Sequence, residues 1–250
     1  MIYDLRIKKH LGQNFLKNKK ILEEIVKIGG VSKKDIVLEV GPGHGELTGF
    51  LAQGAKTVIA IEKDKNLVPM LREKFRNNKN VEIREGDILK SKVLNLKSEY
   101  KIIANIPYYI TSHFLRNTLA QKNKPSLIVL MVQLEVAKRI SAKVPDMNLL
   151  ALSVQAYGKV EFIRKVSAGN FSPTPKVDSA IIKISEISDK FFRKNKISEK
   201  KFFKILRKVF QQKRKMLRGT IGNKIPEEYQ TNRPEELSLE DWIKIYSEIN

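Results

Sequence analysis

Between Ile36 and Val132 the chain alternates short apolar, β-branched runs with stretches of helical periodicity, and this alternation narrows the possible folds more than any other feature. The runs are Ile36–Val40, Thr57–Ile61, Val81–Arg84, Ile102–Ala104 and Leu127–Val132. Helical stretches separate most of them: Glu46–Ala52, Lys65–Phe75, Thr111–Leu119 and Glu135–Ser141. Strand and helix in alternation, with short connections, predict a mostly parallel α/β sheet with right-handed crossovers. A helix over 18–29 precedes the sheet, with Ile21, Leu22, Ile25, Val26 and Ile28 at helical spacing. Val160–Val166 and Ala180–Ser185 come after it, with no convincing helix between them, and predict an antiparallel pair at one edge. Beyond Ile187 the pattern turns helical. Phe202, Ile205, Leu206, Val209 and Phe210 share one face, and Ser238–Asp241 reads as a capping box opening a last helix with Leu239, Trp242, Ile243 and Tyr246. Two domains are expected, a sheet domain over 1–186 and a small helical domain over 187–250.

Composition removes several chemistries. The 250 residues include no cysteine, which excludes disulfides, Cys-ligated zinc, iron–sulfur clusters and thiol nucleophiles. His10, His44 and His113 do not share metal-ligand spacing, so no metal is expected. No run approaches the length of a membrane span, and Met1–His10 has no apolar signal-peptide core. A cytoplasmic monomer with no membrane partner is the expectation.

Charge points to a polyanion. Lys plus Arg number 48 against 27 Asp plus Glu, a net of +21. Thirteen of the basic residues fall between Lys190 and Arg218, where the only acid is Glu199. Such a block suits nucleic-acid phosphates. Lys204, Arg207, Lys208, Lys213, Arg214, Lys215 and Arg218 are the candidates for those contacts.

The first strand runs into Glu39-Val40-Gly41-Pro42-Gly43-His44-Gly45. Glycines at this turn let the backbone approach a ligand at the carboxyl end of the sheet. Dinucleotide folds space their glycines as Gly-x-Gly-x-x-Gly, whereas position 46 here is Glu. Glu39 would repel a pyrophosphate but suits a cation. S-adenosylmethionine carries an ammonium and a sulfonium and has no phosphate. Glu62, at the end of the second strand, is placed to accept from both ribose hydroxyls. Asp87, after the third, is placed to accept from an adenine amine.

After the fourth strand comes Asn105-Ile106-Pro107-Tyr108, which resembles the signature of methyltransferases acting on exocyclic amines of bases. The chemistry accounts for the residue types. An adenine amine is a poor nucleophile because its lone pair is delocalised. The Asn105 side-chain carbonyl and the Ile106 backbone carbonyl can bind its two hydrogens and favour a cationic transition state. Tyr108 can stack on the extruded base, and Pro107 stiffens the turn.

Four further segments complete the resemblance: His10–Leu16, Met131–Ala137, Phe171–Ser179 and Gln211–Arg218. With Arg233–Ser238 they make the chain similar, essentially end to end, to the KsgA-type family of small-subunit ribosomal RNA adenine dimethyltransferases. The resemblance implies a Rossmann-like class I methyltransferase sheet with S-adenosylmethionine as cofactor. Asn14 and Leu16 would close over the methionine and adenosine end of the cofactor. Gly41, Gly43, Glu62, Asp87 and Asn105 would line the rest of its site. Tyr108 and Phe171 would sandwich the target adenine. The implied substrate is a pair of adjacent adenosines in the 3′-terminal hairpin of small-subunit RNA, within an immature small subunit. Many members have Asn where this chain has Tyr109, a phenol that can either pack or stack. Rival readings are an Erm-type enzyme of large-subunit RNA, a DNA adenine methyltransferase, and a non-catalytic ribosome-assembly factor. His10–Leu16 and Lys213–Arg218 favour the small-subunit family over the first, and 250 residues leave little room for the target-recognition domain of the second.

Overall fold

A computed structural model of the chain describes residues 14–90, 96, 98–222 and 224–249. His10 to Gln13 of the first motif lie outside them. In chain order the first elements are β1 (Phe15–Leu16), α1 (Lys19–Ile28), β2 (Ile36–Val40), α2 (Glu46–Gly54), β3 (Thr57–Glu62), α3 (Leu67–Lys74), β4 (Val81–Glu85) and β5 (Lys101–Asn105). Next are α4 (Thr111–Leu119), β6 (Leu127–Gln133), α5 (Leu134–Ile140), α6 (Leu149–Gln155), β7 (Lys159–Val166), β8 (Phe171–Ser172) and β9 (Ser179–Ser185). The chain then continues through α7 (Lys190–Lys194), α8 (Glu199–Phe210), α9 (Arg218–Ile221) and α10 (Leu239–Ile249).

Seven strands form one sheet in the order β4-β3-β2-β5-β6-β9-β7. The pairs β3–β4, β2–β3, β2–β5 and β5–β6 are parallel, and β6–β9 is antiparallel. Strands buried on both faces read as continuous apolar runs, which is why β2, β3, β5 and β6 stand out in the sequence. Alternation sends Val37, Val58, Ile103, Val129 and Met131 to one face, into a cluster with Ile21, Leu22 and Ile25 of α1 and Leu47 and Leu51 of α2. Asn18 starts α1 by accepting from the Lys20 N–H at 3.1 Å.

Two features depart from the sequence expectations. The first is a separate two-stranded pair, β1 with β8, in which Leu16 faces Phe171. Each strand has only two residues, too few to reveal a period. The second is α6. Its Leu-Leu-Ala-Leu-Ser-Val run is apolar all round and lacks an amphipathic stripe, but the Asn148 side chain caps it by accepting from the N–H groups of Leu150 and Ala151.

Contacts divide the chain into two units. One runs through Ala137 and takes up again over Glu161–Ile187; the other comprises Lys138–Val160 and Ser188–Asn250. One division falls between Ile187 and Ser188, while 138–160, expected within 1–186, groups with the helices. A helix buried on most sides needs helical neighbours, and α6 finds one in α8. Within this second unit Phe202, Leu206 and Val209 of α8 are buried, as are Trp242, Ile245 and Tyr246 of α10. Ile245 takes the inward place expected of Ile243. The Ser238–Asp241 box forms: Ser238 N–H donates to Asp241 Oδ2 at 2.9 Å and Asp241 N–H to Ser238 Oγ at 3.2 Å. Among the described residues no helix is long and apolar enough to cross a membrane.

Gly45 sits at the head of α2 with φ of 81°, and a Cβ there would stand 2.6 Å from the Phe75 ring. Gly45→Ala combines left-handed strain with overpacking, and is expected to cost about 2 kcal/mol or more in urea unfolding. An unchanged midpoint would mean that the loop yields freely.

Candidate active site

Strand order reverses between β2 and β5, so the chain leaving β2 and the chain leaving β5 diverge and open a cleft at their carboxyl ends. The glycine loop forms one wall and Asn105–Tyr109 another, with Asn14, Phe15 and Leu16 across them. Gly43 has φ of 60°, and a Cβ on it would meet the Phe15 ring at 2.6 Å. Phe15 also stacks on His44, centroid to centroid at 4.0 Å. A side chain at 43 would therefore push the β1 segment off the loop.

Three carboxylates line the cleft, from Glu39, Glu46 and Glu62. Glu39 is 1% exposed, and its Oε2 accepts from Thr48 Oγ1 at 2.6 Å. Burial pushes its carboxyl up to about 8; the Thr48 bond opposes this, and the charges of Glu62 and Glu46 add to it. Glu62 is held by backbone donors: Gly43 N–H to Oε2 at 3.2 Å and Asp64 N–H to Oε1 at 2.8 Å. Burial raises its carboxyl, with those bonds working against the rise.

A smaller recess adjoins this cleft, sharing Gly41, Glu62, Lys63, Pro107 and Tyr109 and ending at Asp87 and Ile88. Asp87 Oδ2 pairs with Lys63 Nζ at 3.0 Å, and Oδ1 accepts from Leu89 N–H at 3.0 Å. Partial burial pushes the Asp87 carboxyl up, but the Lys63 and Leu89 bonds outweigh it and hold the group below the usual carboxylate range.

Asn105 Nδ2 donates to the Asn14 backbone carbonyl at 3.0 Å. That bond commits the amide nitrogen and leaves Oδ1 as the side chain's acceptor. Ile106 is buried and Pro107 has φ of −55°; both line the cleft. The Tyr108 hydroxyl shares a 2.6 Å hydrogen bond with Ser179 Oγ, and burial raises its phenol.

The cleft thus gathers Asn14, Leu16, Gly41, Gly43, Glu62, Asn105, Ile106, Pro107 and Tyr108, and the recess beside it adds Asp87. Phe171 is not among the lining residues. It is 3% exposed, opposite Leu16 in the β1–β8 pair and inside the core cluster with Ile103 and Met131. Sequence reasoning passed over Phe15, Thr48 and Lys63. Phe15 had a signal, since it lies between the two quoted residues Asn14 and Leu16. Thr48 and Lys63 are ordinary residues whose contacts come only from the fold. In the second unit Lys204, Arg207, Lys208, Lys213, Arg214, Lys215 and Arg218 are all exposed.

A cleft lined by three acids rejects a pyrophosphate and accepts a cation. The adjoining carboxylates Glu62 and Asp87 provide acceptors for hydroxyls and an amine. Beside them stand an amide oxygen and an aromatic ring.

Known proteins resemble this chain in sequence and in fold. The profile of the family "Ribosomal RNA adenine dimethylase" matches residues 4–247. A relative from Dehalococcoides mccartyi, "Ribosomal RNA small subunit methyltransferase A", is 40% identical over 96% of this chain and 87% of its own. A dimethyladenosine transferase from Plasmodium falciparum, known from its crystal structure, superposes with a TM-score of 0.82 at 28% identity, covering 94% of this chain and 97% of that one. The 23S rRNA methyltransferase ErmE has the same fold, with a TM-score of 0.78 at 24% identity over 94% of this chain and 99% of that one. With a family profile spanning almost its whole length and a long relative at 40% identity, the chain belongs to the ribosomal RNA adenine dimethylase family.

Proposed function

We propose that the protein transfers methyl groups from S-adenosylmethionine to the exocyclic amines of two adjacent adenosines in the 3′-terminal hairpin of small-subunit ribosomal RNA. The products are dimethyladenosines, and the step belongs to small-subunit biogenesis in the cytoplasm. Family membership supports the reaction, and the name of the Dehalococcoides relative supports the small subunit as target. One observation carries the proposal: the acid-lined cleft and the Asn105–Tyr108 turn share a wall.

The cleft fits S-adenosylmethionine by its own chemistry. Glu46 and Glu62 face its positive charges, and a cation arriving beside the buried Glu39, whose carboxyl is pushed up to about 8, would draw that group toward its charged form. Gly41 and Gly43 let the backbone approach the ligand, and Asn14 and Leu16, which line the same cleft, close over its methionine and adenosine end. Glu62 accepts from the ribose hydroxyls and Asp87 from the adenine amine. When bound, the cofactor supplies an electrophilic methyl group on a sulfonium.

The remaining work falls to the chain. Asn105 Oδ1 and the Ile106 carbonyl accept the two hydrogens of the target amine, drawing its nitrogen out of conjugation. The bond from Asn105 Nδ2 to Asn14 keeps the amide from rotating its donor toward the substrate. Tyr108 offers a stacking face, its ring anchored through Ser179. Phe171 serves as the second face only if its ring leaves the β1–β8 contact. No strong base is required, because the methylated nitrogen is acidic while cationic. Lys204, Arg207 and Lys208 on α8, with Lys213, Arg214, Lys215 and Arg218 beyond it, bind phosphates without reading sequence.

Labelled S-adenosylmethionine offered with unmethylated small-subunit particles, large-subunit RNA and duplex DNA tests the whole proposal. Dimethyladenosine should appear in the small-subunit sample alone; label in large-subunit RNA would favour the Erm-type alternative. Asn105→Ala should lower kcat by about a hundredfold or more while raising the cofactor Kd far less, because its acceptor role matters mainly in the transition state. Equal losses in both would remove that role. Replacing Lys213, Arg214 and Arg218 with Ala should weaken RNA binding and reduce the slope of log Kd against log salt by about 2. An unchanged slope would mean these cations face away from the RNA.

A further inference from the structure

We propose that Tyr109 is a cofactor-binding residue: its ring covers the nucleoside half of the cleft and stacks on the adenine of S-adenosylmethionine, leaving the target base to Tyr108. This rests on the cleft being the S-adenosylmethionine site.

Tyr108 and Tyr109 are consecutive in one turn of 3-10 helix, Tyr108–Ile110. Such a helix rotates about 120° per residue, so adjacent side chains diverge. Tyr108 turns toward β9, where its hydroxyl meets Ser179 at 2.6 Å. Tyr109, unlike Tyr108, lines the adjoining recess as well as the cleft. That recess ends at Asp87 and Ile88, past the tip of β4, and takes in Glu62 and Lys63 at the tip of β3. In the sheet β5 stands between β2 and β6, so β9 lies to one side of it and β3 and β4 to the other. Both tyrosines line the main cleft, and Tyr109 alone also reaches the recess on the β3 and β4 side.

The recess has the character of a base slot. Val40, Ile88 and Ile110 supply apolar walls, and Asp87 an acceptor at the far end. Tyr109 is 57% exposed, the largest exposure among the large apolar side chains of the described residues. No ring of another described residue stacks on it. Lys63 lines the same recess, and its ammonium is held above its usual range first by the Asp87 hydrogen bond and then by its electrostatic interaction with Tyr109. Lys63 in turn holds Asp87 at 3.0 Å. Tyr109, Lys63 and Asp87 all line the recess, which thus offers an exposed aromatic ring and a carboxylate suited to an adenine amine. Tyr108 does not line this recess.

Calorimetric binding of S-adenosylhomocysteine and of 5′-methylthioadenosine, which lacks the amino-acid end, tests this without turnover. Tyr109→Ala should weaken both ligands by a common factor of about ten, as expected for loss of a base–aromatic stack. Tyr109→Phe should bind both nearly as well as the parent. Unchanged affinities for both ligands would overturn the proposal, as would weakening of S-adenosylhomocysteine alone, which would move the ring to the amino-acid end. A raised RNA dissociation constant with intact ligand binding would assign Tyr109 to the target base and overturn it too. If the unsubstituted protein binds neither ligand, the S-adenosylmethionine site itself is refuted, and the role of Tyr109 falls with it.

Discussion

The parallel pairing of β2 with β5, Val37 opposite Lys101 and Leu38 opposite Ile102, is the constraint from which the site follows. The chain builds outward from β2 through β3 to β4, then returns to lay β5 on the other side of β2. Two loops that leave adjacent parallel strands in opposite directions cannot fill the space between them. They do meet at the base: a Cβ on Gly41 would stand 3.3 Å from Pro107 Cδ. That contact sets how closely the glycine loop and the Asn-Ile-Pro-Tyr turn approach, and so how a donor and an acceptor of a methyl group could be held together.

The same pairing divides the labour. Strand ends on one side of β5 bring Glu39, Glu62 and Asp87, all acceptors. On the other side lie Ser179 and the Tyr108 ring that it anchors. Glu39 shows what the acid side costs. Its folded-state carboxyl lies near 8, above the ordinary carboxylate range, so the folded chain binds a proton more tightly than the unfolded one. The stability tied to that proton is full below the ordinary range and is lost as pH climbs toward 8. A cation arriving beside Glu39 would reverse the penalty by making the charged form the favoured one. An acid placed there only to stabilise the fold would be a poor choice; an acid awaiting a positively charged ligand is a sound one.

Much of this was legible in the chain, and the rest was hidden for identifiable reasons. Doubly buried strands such as Leu127–Gln133 announce themselves as apolar runs, and Thr111–Leu119 matches its periodicity residue for residue. Acids and glycines at strand ends could be located because the strands could. Leu149–Gln155 escaped because a helix buried on most sides has no polar stripe, although Asn148 marked its start. Phe171 shows the limit of arguing from local context. A Pro-rich loop suggests an exposed ring, yet pairing with a strand 155 residues away buries it, through Leu16 opposite Phe171. No window along the sequence contains both residues.

The contrast between paired and unpaired cations completes the picture. Lysines and arginines in the sheet unit repeatedly find carboxylates: Lys63 with Asp87, Lys101 with Asp35, Arg164 with Glu24, Lys165 with Asp178. None of the thirteen cations from Lys190 to Arg218 has a carboxylate partner among the described residues. Their mutual repulsion opposes folding and is not relieved by a carboxylate partner among the described residues. Surface pairs add little to stability, so their absence is no defect of the fold. It does leave the charge available, and a polyanion that releases its condensed counterions on binding is the partner that makes most use of it. An acid-lined cleft for a small cation and an unpaired basic block for a large anion are opposite electrostatic solutions in one chain. A methyl transfer from a cationic donor to a nucleic acid needs both.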